Sequence, residues 1–230
     1  MQVCEMFRSI QGEGITQGKN SLFIRFPNCN LACQCCDSKF TWKDIEKKEY
    51  SDEEVFAQVK KVDNVVFTGG EPFLSRNLSD CIKIMTNGSF SYHTFEIETN
   101  GTILPDIETL DYLIRDEIVF NISPKINVKQ ERKVDTNPIL VEELVYRNLK
   151  GWDAKFIVKF LFSSKKDLKI VEEFQKQYEV SNSRIYMQPM AVTRNEVIGL
   201  TKLHFDEIIE KGWNISLREH VILFGKKRSI

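Results

Sequence analysis

An apolar segment runs straight into a cysteine cluster in the stretch Leu22-Phe-Ile-Arg-Phe-Pro-Asn-Cys29-Asn-Leu-Ala-Cys33-Gln-Cys35-Cys36. The segment Leu22–Phe26 is short, rich in β-branched and aromatic residues and bounded by polar or turn residues, which predicts a buried β-strand. Similar segments recur along the chain. We expect five further strands, at Val65–Thr68, Thr94–Glu98, Ile118–Ile122, Lys155–Phe162 and Arg184–Gln188.

Helical patterns lie between most of these strands. A capping-box sequence, Ser51 to Glu54, predicts a helix that runs to about Lys61. Apolar residues at helical spacing predict two more helices, from Ser164 to Tyr178 and from Arg194 to Lys211. Alternating strands and helices indicate an α/β fold with a parallel sheet and crossover helices. Ligands of such folds bind at the carboxyl ends of the strands, where the cysteines lie.

Four of the six cysteines fall within eight positions. Such crowding in a reducing cytosol favours metal ligation or redox chemistry over structural disulfides. The C-x3-C-x2-C spacing of Cys29, Cys33 and Cys36 suits three irons of one [4Fe-4S] cluster. The fourth iron then has no protein ligand and can bind the amino and carboxylate groups of S-adenosylmethionine (SAM). The alternatives are redox thiols or a zinc site, for which Cys35 is the candidate fourth ligand.

Bulk properties limit the remaining function classes. The chain has 230 residues, is 42% hydrophobic and carries a formal net charge of −1. This length and balance predict one domain spanning residues 1–230. A charge near zero gives no global attraction to nucleic acid or to anionic membranes. The N-terminal residues lack the apolar run of a signal peptide, so a cytoplasmic location is expected.

A second motif connects the cysteine spacing to a known superfamily. The stretch Val66-Phe-Thr-Gly-Gly-Glu-Pro72 resembles the glycine-rich strand end of the radical SAM superfamily. Glycines there let the backbone approach a ligand closely. The resemblance implies a compact, modified partial (β/α)6-type barrel that uses a [4Fe-4S] cluster and SAM.

A narrower resemblance covers nearly the whole chain. The stretch Glu5-Met-Phe-Arg-Ser-Ile-Gln-Gly-Glu-Gly14 is similar to the opening of the 7-carboxy-7-deazaguanine synthases, which generic radical SAM enzymes lack. Further matches are Phe23-Ile-Arg-Phe26, Thr41-Trp42, Glu98-Thr-Asn-Gly101, Ser123-Pro-Lys125, Gln188-Pro189 and the tail His220-Val-Ile-Leu-Phe-Gly-Lys-Lys-Arg228. The resemblance implies conversion of 6-carboxy-5,6,7,8-tetrahydropterin to 7-carboxy-7-deazaguanine with loss of ammonia. An alternative within the superfamily is an activase that makes a glycyl radical on a partner protein.

The resemblance also implies roles for individual residues. The pterin would contact an N-terminal substrate loop and two strand-end residues: Ile10, Gln11, Gly12, Glu13, Arg25 and Thr68. The guanidinium of Arg25 can grip the substrate carboxylate through two parallel hydrogen bonds. SAM would contact the strand-end residues Cys35, Cys36, Asp37, Gly70, Glu71, Glu98, Ser123, Pro124, Lys125, Gln188, Pro189 and Met190. Mg²⁺ would bind at Ser38, and a reductant such as flavodoxin or ferredoxin and a second copy of the chain are the expected partners.

Three positions depart from the family pattern. Cys35 stands where an aromatic residue is usual, and Ser38 replaces a threonine that binds magnesium. Serine keeps the hydroxyl, a hard oxygen ligand that suits Mg²⁺. In the short C-terminal tail, Arg218 and Glu219 precede His220, where the family often has a glutamine two residues before the histidine.

Overall fold

The computed structural model describes residues 1–43, 45–75, 78, 81–82, 93–115, 118–225 and 227. Its strands, in chain order, are β1 (Gln2–Val3), β2 (Glu5–Ile10), β3 (Asn20–Phe26), β4 (Lys48–Glu49), β5 (Asn64–Gly69), β6 (Thr94–Thr99), β7 (Val119–Ile122), β8 (Phe156–Phe162), β9 (Ile185–Pro189) and β10 (Asn214–Ile215). The six predicted strands are β3 and β5 to β9. Their observed ends lie within two residues of the predicted ends, and several coincide.

The six predicted strands form the parallel centre of an eight-stranded sheet with the order β10-β9-β8-β7-β6-β5-β3-β2. Strand β10 extends this sheet in parallel at one edge. Strand β2 closes the other edge antiparallel to β3, with Glu5 opposite Arg25 and Ile10 opposite Asn20. Because the order is linear among the described residues, the sheet has two edges and is an open α/β arrangement, as predicted.

Helices connect the parallel strands. In the described part of the chain they are α1 (Asp52–Val59), α2 (Ile107–Arg115), α3 (Ile139–Leu149), α4 (Lys165–Tyr178), α5 (Arg194–Glu210) and α6 (Glu219–Phe224). The predicted capping box at Ser51 and Glu54 is present, and α1 ends at Val59, two residues before the predicted end. Helix α5 stops where Gly212 adopts a positive φ of 70°, a backbone conformation that favours glycine. No described helix has the length and apolarity that a membrane crossing requires.

The two faces of the sheet differ in chemistry. Alternate strand residues on one face pack with the helices in a single buried cluster, which includes Leu22, Ile24, Phe26, Val65, Phe67, Ile97, Phe120, Ile122, Val158, Phe160, Phe162 and Met187. We call this the outer face. The residues between them form the inner face, whose polar members include Arg25, Thr68, Glu96, Glu98, Asn121, Lys159 and Gln188. Fully burying one large apolar side chain stabilises the fold by about 1.5–3 kcal/mol, so the outer face contributes most of the folding free energy.

The segment 11–19 lies against the inner face. It follows strand β2 and returns to β3, and both ends are held by the backbone pair of Gln11 and Lys19. Gln11, Gly14 and Thr16 are buried. The segment therefore fills part of the concave side of the sheet, and its side chains meet the polar residues of the inner face.

Candidate active site

The cysteine loop begins where strands β3 and β5 end side by side. A Cβ on Gly70 would lie 2.0 Å from the carbonyl oxygen of Asn28, and one on Gly69 would lie 2.3 Å from that of Phe26. Only glycine fits such close backbone contact without displacing the neighbouring strand. The backbone of Glu71 continues the contact by donating to Asn28 O (2.8 Å). The glycine pair thus holds the start of the cysteine loop against the end of β5.

The three cysteines of the predicted cluster lie together and are not in disulfides. Their side chains pack in one group with Leu31, Val128, Val134 and Leu161. Each sulfur also accepts a hydrogen bond from a side chain. The donors are Asn100 Nδ2 to Cys29 (4.0 Å), Gln130 Nε2 to Cys33 (3.3 Å) and Trp42 Nε1 to Cys36 (3.5 Å). Apolar packing and N–H donors to sulfur are features that tune the potential of iron–sulfur clusters.

Burial keeps the Cys29 thiol protonated when no metal is bound. It raises the pKa of Cys29 to about 11, with Glu71 and the neighbouring thiols of Cys33 and Cys36 adding to the effect. Metal binding therefore must displace protons from this group. Cys35 is exposed, in contrast to Cys33. Among the described residues, no three His, Cys, Asp or Glu side chains converge on a single metal ion.

Glu71 lies under the cysteine loop and is fully buried. Its carboxylate accepts hydrogen bonds from Thr99 Oγ1 (2.8 Å), Asn100 N (2.8 Å) and Phe73 N (3.2 Å). Burial raises its pKa to about 7, although these donors act in the opposite direction. Through these bonds Glu71 joins the ends of strands β5 and β6, and its contact with SAM stays a prediction.

Gln11 is the anchor of the segment 11–19. Its Nε2 donates to Glu96 Oε1 (3.3 Å) and Glu98 Oε1 (3.3 Å), and its Oε1 accepts from Glu13 N (3.2 Å). Both amide protons are therefore used inside the sheet. The backbone of Gln11 is occupied as well, because its N donates to Lys19 O (2.8 Å) and its O accepts from Gly18 N (2.7 Å). Contact of Ile10, Gln11 and Gly12 with the pterin stays a prediction. Ile10 itself is the last residue of strand β2 rather than part of an open loop.

Two carboxylates on strand β6 organise the inner face. Glu96 is fully buried and accepts hydrogen bonds from Asn121 Nδ2 (2.9 Å) and Thr16 Oγ1. Burial, and then the charge of Glu98, raise its pKa. Glu98 is half-buried, and its Oε2 accepts from Thr68 Oγ1 (2.9 Å). Thr68 and Glu98, predicted to bind different ligands, are therefore direct partners.

A charged chain crosses the concave side. Glu13 pairs with Lys159 Nζ on strand β8 and with Arg218 Nε (3.1 Å) in the C-terminal tail. Burial favours a raised pKa for Glu13, but the two cations outweigh it and hold the pKa below its usual range. Lys159 is buried; burial lowers its pKa, but Glu13 and Glu98 outweigh this and raise it. Both groups are therefore charged at neutral pH.

Arg25 lies at the end of strand β3, on the inner face. Its Nε donates to Glu5 Oε1 on the neighbouring strand (2.7 Å), and its guanidinium lies 6.0 Å from the ring centroid of Phe40. The planar group has two further nitrogens on the side away from Nε, which suit a bidentate grip on a carboxylate. Asp37, in the cysteine loop, pairs with Arg218 Nη2.

The remaining predicted residues lie on neighbouring strand ends. Lys125 Nζ donates to Ser123 Oγ (2.6 Å), and Pro124 between them is buried. Gln188 is buried and its Oε1 accepts from Ser216 Oγ (3.5 Å). Pro189 ends strand β9, and Met190, which follows it, is exposed. Ser123 therefore follows the end of strand β7, and Gln188 and Met190 lie at the end of strand β9, as the topology predicts.

Ser38, the predicted magnesium ligand, lies directly behind the cysteines. Its Oγ donates to Asp37 Oδ1 (3.3 Å) and lies 3.9 Å from Cys36 Sγ. Its carbonyl accepts from Thr41 N and Oγ1. A hydroxyl and a carboxylate oxygen next to each other are hard ligands of the type Mg²⁺ prefers, but the magnesium role stays a prediction.

Several residues that organise the site were not identified from the sequence. These are Glu96, Asn100, Asn121, Lys159 and Arg218. The charged residues Glu96 and Lys159, each inside an apolar strand segment, could have indicated buried ion pairs or hydrogen bonds. A strand that is buried on both faces seldom carries an unpaired charge. Nothing local marks Arg218, whose partner Glu13 lies 205 residues away in sequence.

Comparison with known proteins identifies the group to which this arrangement belongs. The family model of the Radical SAM superfamily matches residues 23–127. A 7-carboxy-7-deazaguanine synthase of Clostridium acetobutylicum is 31% identical over 82% of this chain and 81% of its own length, and that of Pyrobaculum aerophilum is 28% identical over 99% and 96%. The crystal structure of QueE from Escherichia coli has the same fold, with a TM-score of 0.63 at 22% identity over 94% of this chain and 92% of that one. From these matches and the cysteine loop, the chain belongs to the 7-carboxy-7-deazaguanine synthase family of radical SAM enzymes.

Proposed function

We propose that the protein converts 6-carboxy-5,6,7,8-tetrahydropterin to 7-carboxy-7-deazaguanine with release of ammonia. The relatives that share most of its length carry the name of this activity. Membership of the radical SAM superfamily implies a [4Fe-4S] cluster and SAM as cofactors. When bound, these supply the 5′-deoxyadenosyl radical that abstracts a substrate hydrogen.

The residues of the cysteine loop fit this cofactor pair. Cys29, Cys33 and Cys36 offer three thiols in an apolar setting with one N–H donor each. Three thiols suit three irons and leave the fourth iron for SAM. Cys35 is exposed and directly precedes Cys36. Because adjacent cysteines rarely bind one metal site together, we do not expect Cys35 to be a fourth ligand. The SAM contacts would come from the strand ends of β5 to β9, including the backbone of Gly70.

The inner face fits a small, polar, planar substrate. Gln11 fixes the segment 11–19 by its side chain, so that this segment is held in place to bind the amide edge of a pterin. Arg25 carries the positive charge for the substrate carboxylate. Thr68 and Glu98 present a hydroxyl and a carboxylate close to each other, at the ends of neighbouring strands. Their part is to bind and orient the substrate.

One observation carries this proposal. The segment Ile10–Glu13, which a generic radical SAM enzyme lacks, is built into the concave side of the sheet through Gln11. Through Glu13 and Arg218 the same segment is tied to Asp37, next to the cluster cysteine Cys36. The family-specific element thus lies beside the element that all members share. An activase for a protein substrate needs no such internal segment at the centre of its sheet.

The test is anaerobic turnover. Protein reconstituted with iron and sulfide should convert the carboxy-tetrahydropterin to the deazaguanine acid in the presence of SAM and a reductant, measured by liquid chromatography and mass spectrometry. Cys33→Ala is the matched control and should lose the cluster absorption together with the activity. Absence of product from wild-type protein with a full iron complement would contradict the proposal. A flavodoxin or ferredoxin as electron donor, a magnesium ion at Ser38, homodimer formation and a cytoplasmic location are further parts of it.

A further inference from the structure

The C-terminal tail lies directly on the predicted substrate loop. Gly14 N donates to Ser216 Oγ (2.9 Å), and Glu219 N donates to Gly12 O (3.0 Å). A Cβ on Gly12 would lie 2.3 Å from Nδ1 of His220, so the two segments touch at this point. Ser216 and the first turn of α6 therefore cover Gly12 to Gly14.

Arg218 extends this contact to a third segment. Its Nε donates to Glu13 Oε1 (3.1 Å), its Nη1 to the carbonyl of Ala191 (2.9 Å) and its Nη2 to Asp37 Oδ2. The side chain is only 12% exposed. Burial lowers the pKa of Arg218, but Glu13 and Asp37 outweigh this and raise it. A planar guanidinium can serve three acceptors in fixed directions, whereas an ammonium or an amide cannot.

The two carboxylate acceptors, Glu13 and Asp37, belong to parts of the site with different tasks. Glu13 lies in the predicted substrate loop and is held from the other side by Lys159. Asp37 follows the cluster cysteine Cys36. Without the cation between them, the two carboxylates would repel each other. The position of one loop is thereby coupled to the position of the other.

We propose that Arg218 is a positioning residue that fixes the spacing between the substrate loop at Glu13 and the cluster loop at Asp37. The proposal rests on the function proposed above for the identity of the two loops. Arg218 touches neither substrate nor cofactor in this role; it acts through Glu13 and Asp37. It also explains the departure of this tail from the family pattern, because a glutamine at the same place has no charge to hold two carboxylates.

The primary test is hydrogen–deuterium exchange of the cluster-loaded protein without pterin. Arg218→Gln should raise the exchange rates of residues 11–16 and 36–38 together, by about fivefold or more, because one contact holds both loops. Arg218→Lys should give an intermediate increase, since it keeps the charge but not the fork. Lys227→Gln removes a positive charge from an exposed tail residue and is the matched control.

Steady-state kinetics supply a second measurement. In Arg218→Gln the pterin KM should rise about tenfold, and more 5′-deoxyadenosine should be released per product, because a displaced substrate fails to receive the radical. Unchanged exchange at either loop overturns the proposal, as does an equal change in Lys227→Gln. If Arg218→Gln is insoluble, Arg218→Lys is measured instead. Exchange rates in Arg218→Lys equal to those of the wild type would also overturn the proposal. The exchange test needs no pterin, so it decides the role of Arg218 even if wild-type protein yields no deazaguanine.

Discussion

Phe160 and Lys159 are neighbours on strand β8, but they lie on opposite faces of the same sheet. Phe160 is fully buried under helix α4, with its ring 4.9 Å from that of Phe174 in an edge-on arrangement. Lys159 is nearly as buried, yet its ammonium pairs with Glu13 inside the concave side. Burial alone therefore does not distinguish the two positions; the partners do.

The difference extends along the whole sheet. Outer-face residues meet apolar helix residues, so each contributes to stability by removing its surface from water. Inner-face residues meet each other and the segment 11–19, and their hydrogen bonds and ion pairs mainly offset the cost of burying polar groups. We expect outer-face substitutions to change the free energy of unfolding, and inner-face substitutions to change both stability and substrate binding.

The largest expected effect is at Phe160. Phe160→Ala removes a ring from the packed core and leaves a cavity, which should lower the free energy of unfolding by about 3–5 kcal/mol. Urea-induced unfolding followed by circular dichroism measures it. Leu203→Ala, at an exposed site on helix α5, is the control and should change little. A loss below about 1 kcal/mol would show that the outer face does not carry the core.

The next prediction concerns Lys159, its neighbour on the inner face. Lys159→Met keeps the apolar stem but leaves Glu13 with Arg218 as its remaining strong cation, at a cost of about 2–3 kcal/mol. Because Glu13 belongs to the predicted substrate loop, pterin binding should weaken as well. The double variant Glu13→Gln/Lys159→Met should recover part of the stability, since no buried charge is left unpaired. Strict additivity of the two single changes would contradict the pairing.

The six parallel strands were predictable because a strand buried in the sheet needs apolar residues along its own length. Short segments rich in Phe, Val and Ile with polar ends show this in the sequence. The sequence also placed the cysteine loop and the glycine pair at adjacent strand ends. Strand β2 was missed, because Glu5 and Arg8 interrupt its apolar pattern; what holds it is pairing with β3, including the stacked rings of Phe7 and Phe23. Helix α2 was missed although Leu110, Leu113 and Ile114 have helical spacing.

Contacts between distant segments explain the rest of the differences. The sequence placed Gln11 in the predicted substrate loop, and the structure adds that its side chain binds Glu96 and Glu98, 85 and 87 residues away, a contact that no local pattern indicates. Spacing within a motif fixes which residues are available for chemistry. It does not fix which of them face each other once the sheet curves, because that depends on pairing over the whole chain.

The third prediction uses pH at Glu96. Glu96→Gln replaces an acceptor of three donors by an amide with one oxygen, which should cost about 1–2 kcal/mol at low pH. The raised pKa means that folded wild type keeps its proton above the ordinary pKa of 4.5, where the unfolded chain has lost it. The stability that this group contributes to the wild type is therefore lost as the pH rises, whereas the amide of the variant does not titrate and has no such pH dependence. The stability difference between wild type and variant should narrow from pH 5 to pH 8, measured by thermal unfolding, with Glu210→Gln as an exposed control.

The smallest expected effect on stability is at Thr68, where the two faces can be separated most cleanly. Thr68→Val keeps the shape of the side chain and removes the hydrogen bond to Glu98 Oε2, at a cost of about 1 kcal/mol. Glu98 then keeps only the donor from Gln11 among these inner-face contacts, and its carboxylate is less well fixed for the substrate. The pterin KM should rise severalfold while the free energy of unfolding falls by only about 1 kcal/mol. Val65→Thr, on the outer face of the same strand, replaces a methyl group by a hydroxyl, the reverse of Thr68→Val. It should lower stability more than it changes KM, because the hydroxyl enters an apolar cluster. If both substitutions on strand β5 affected stability and KM in the same proportion, the division of the sheet into a packing face and a binding face would be wrong.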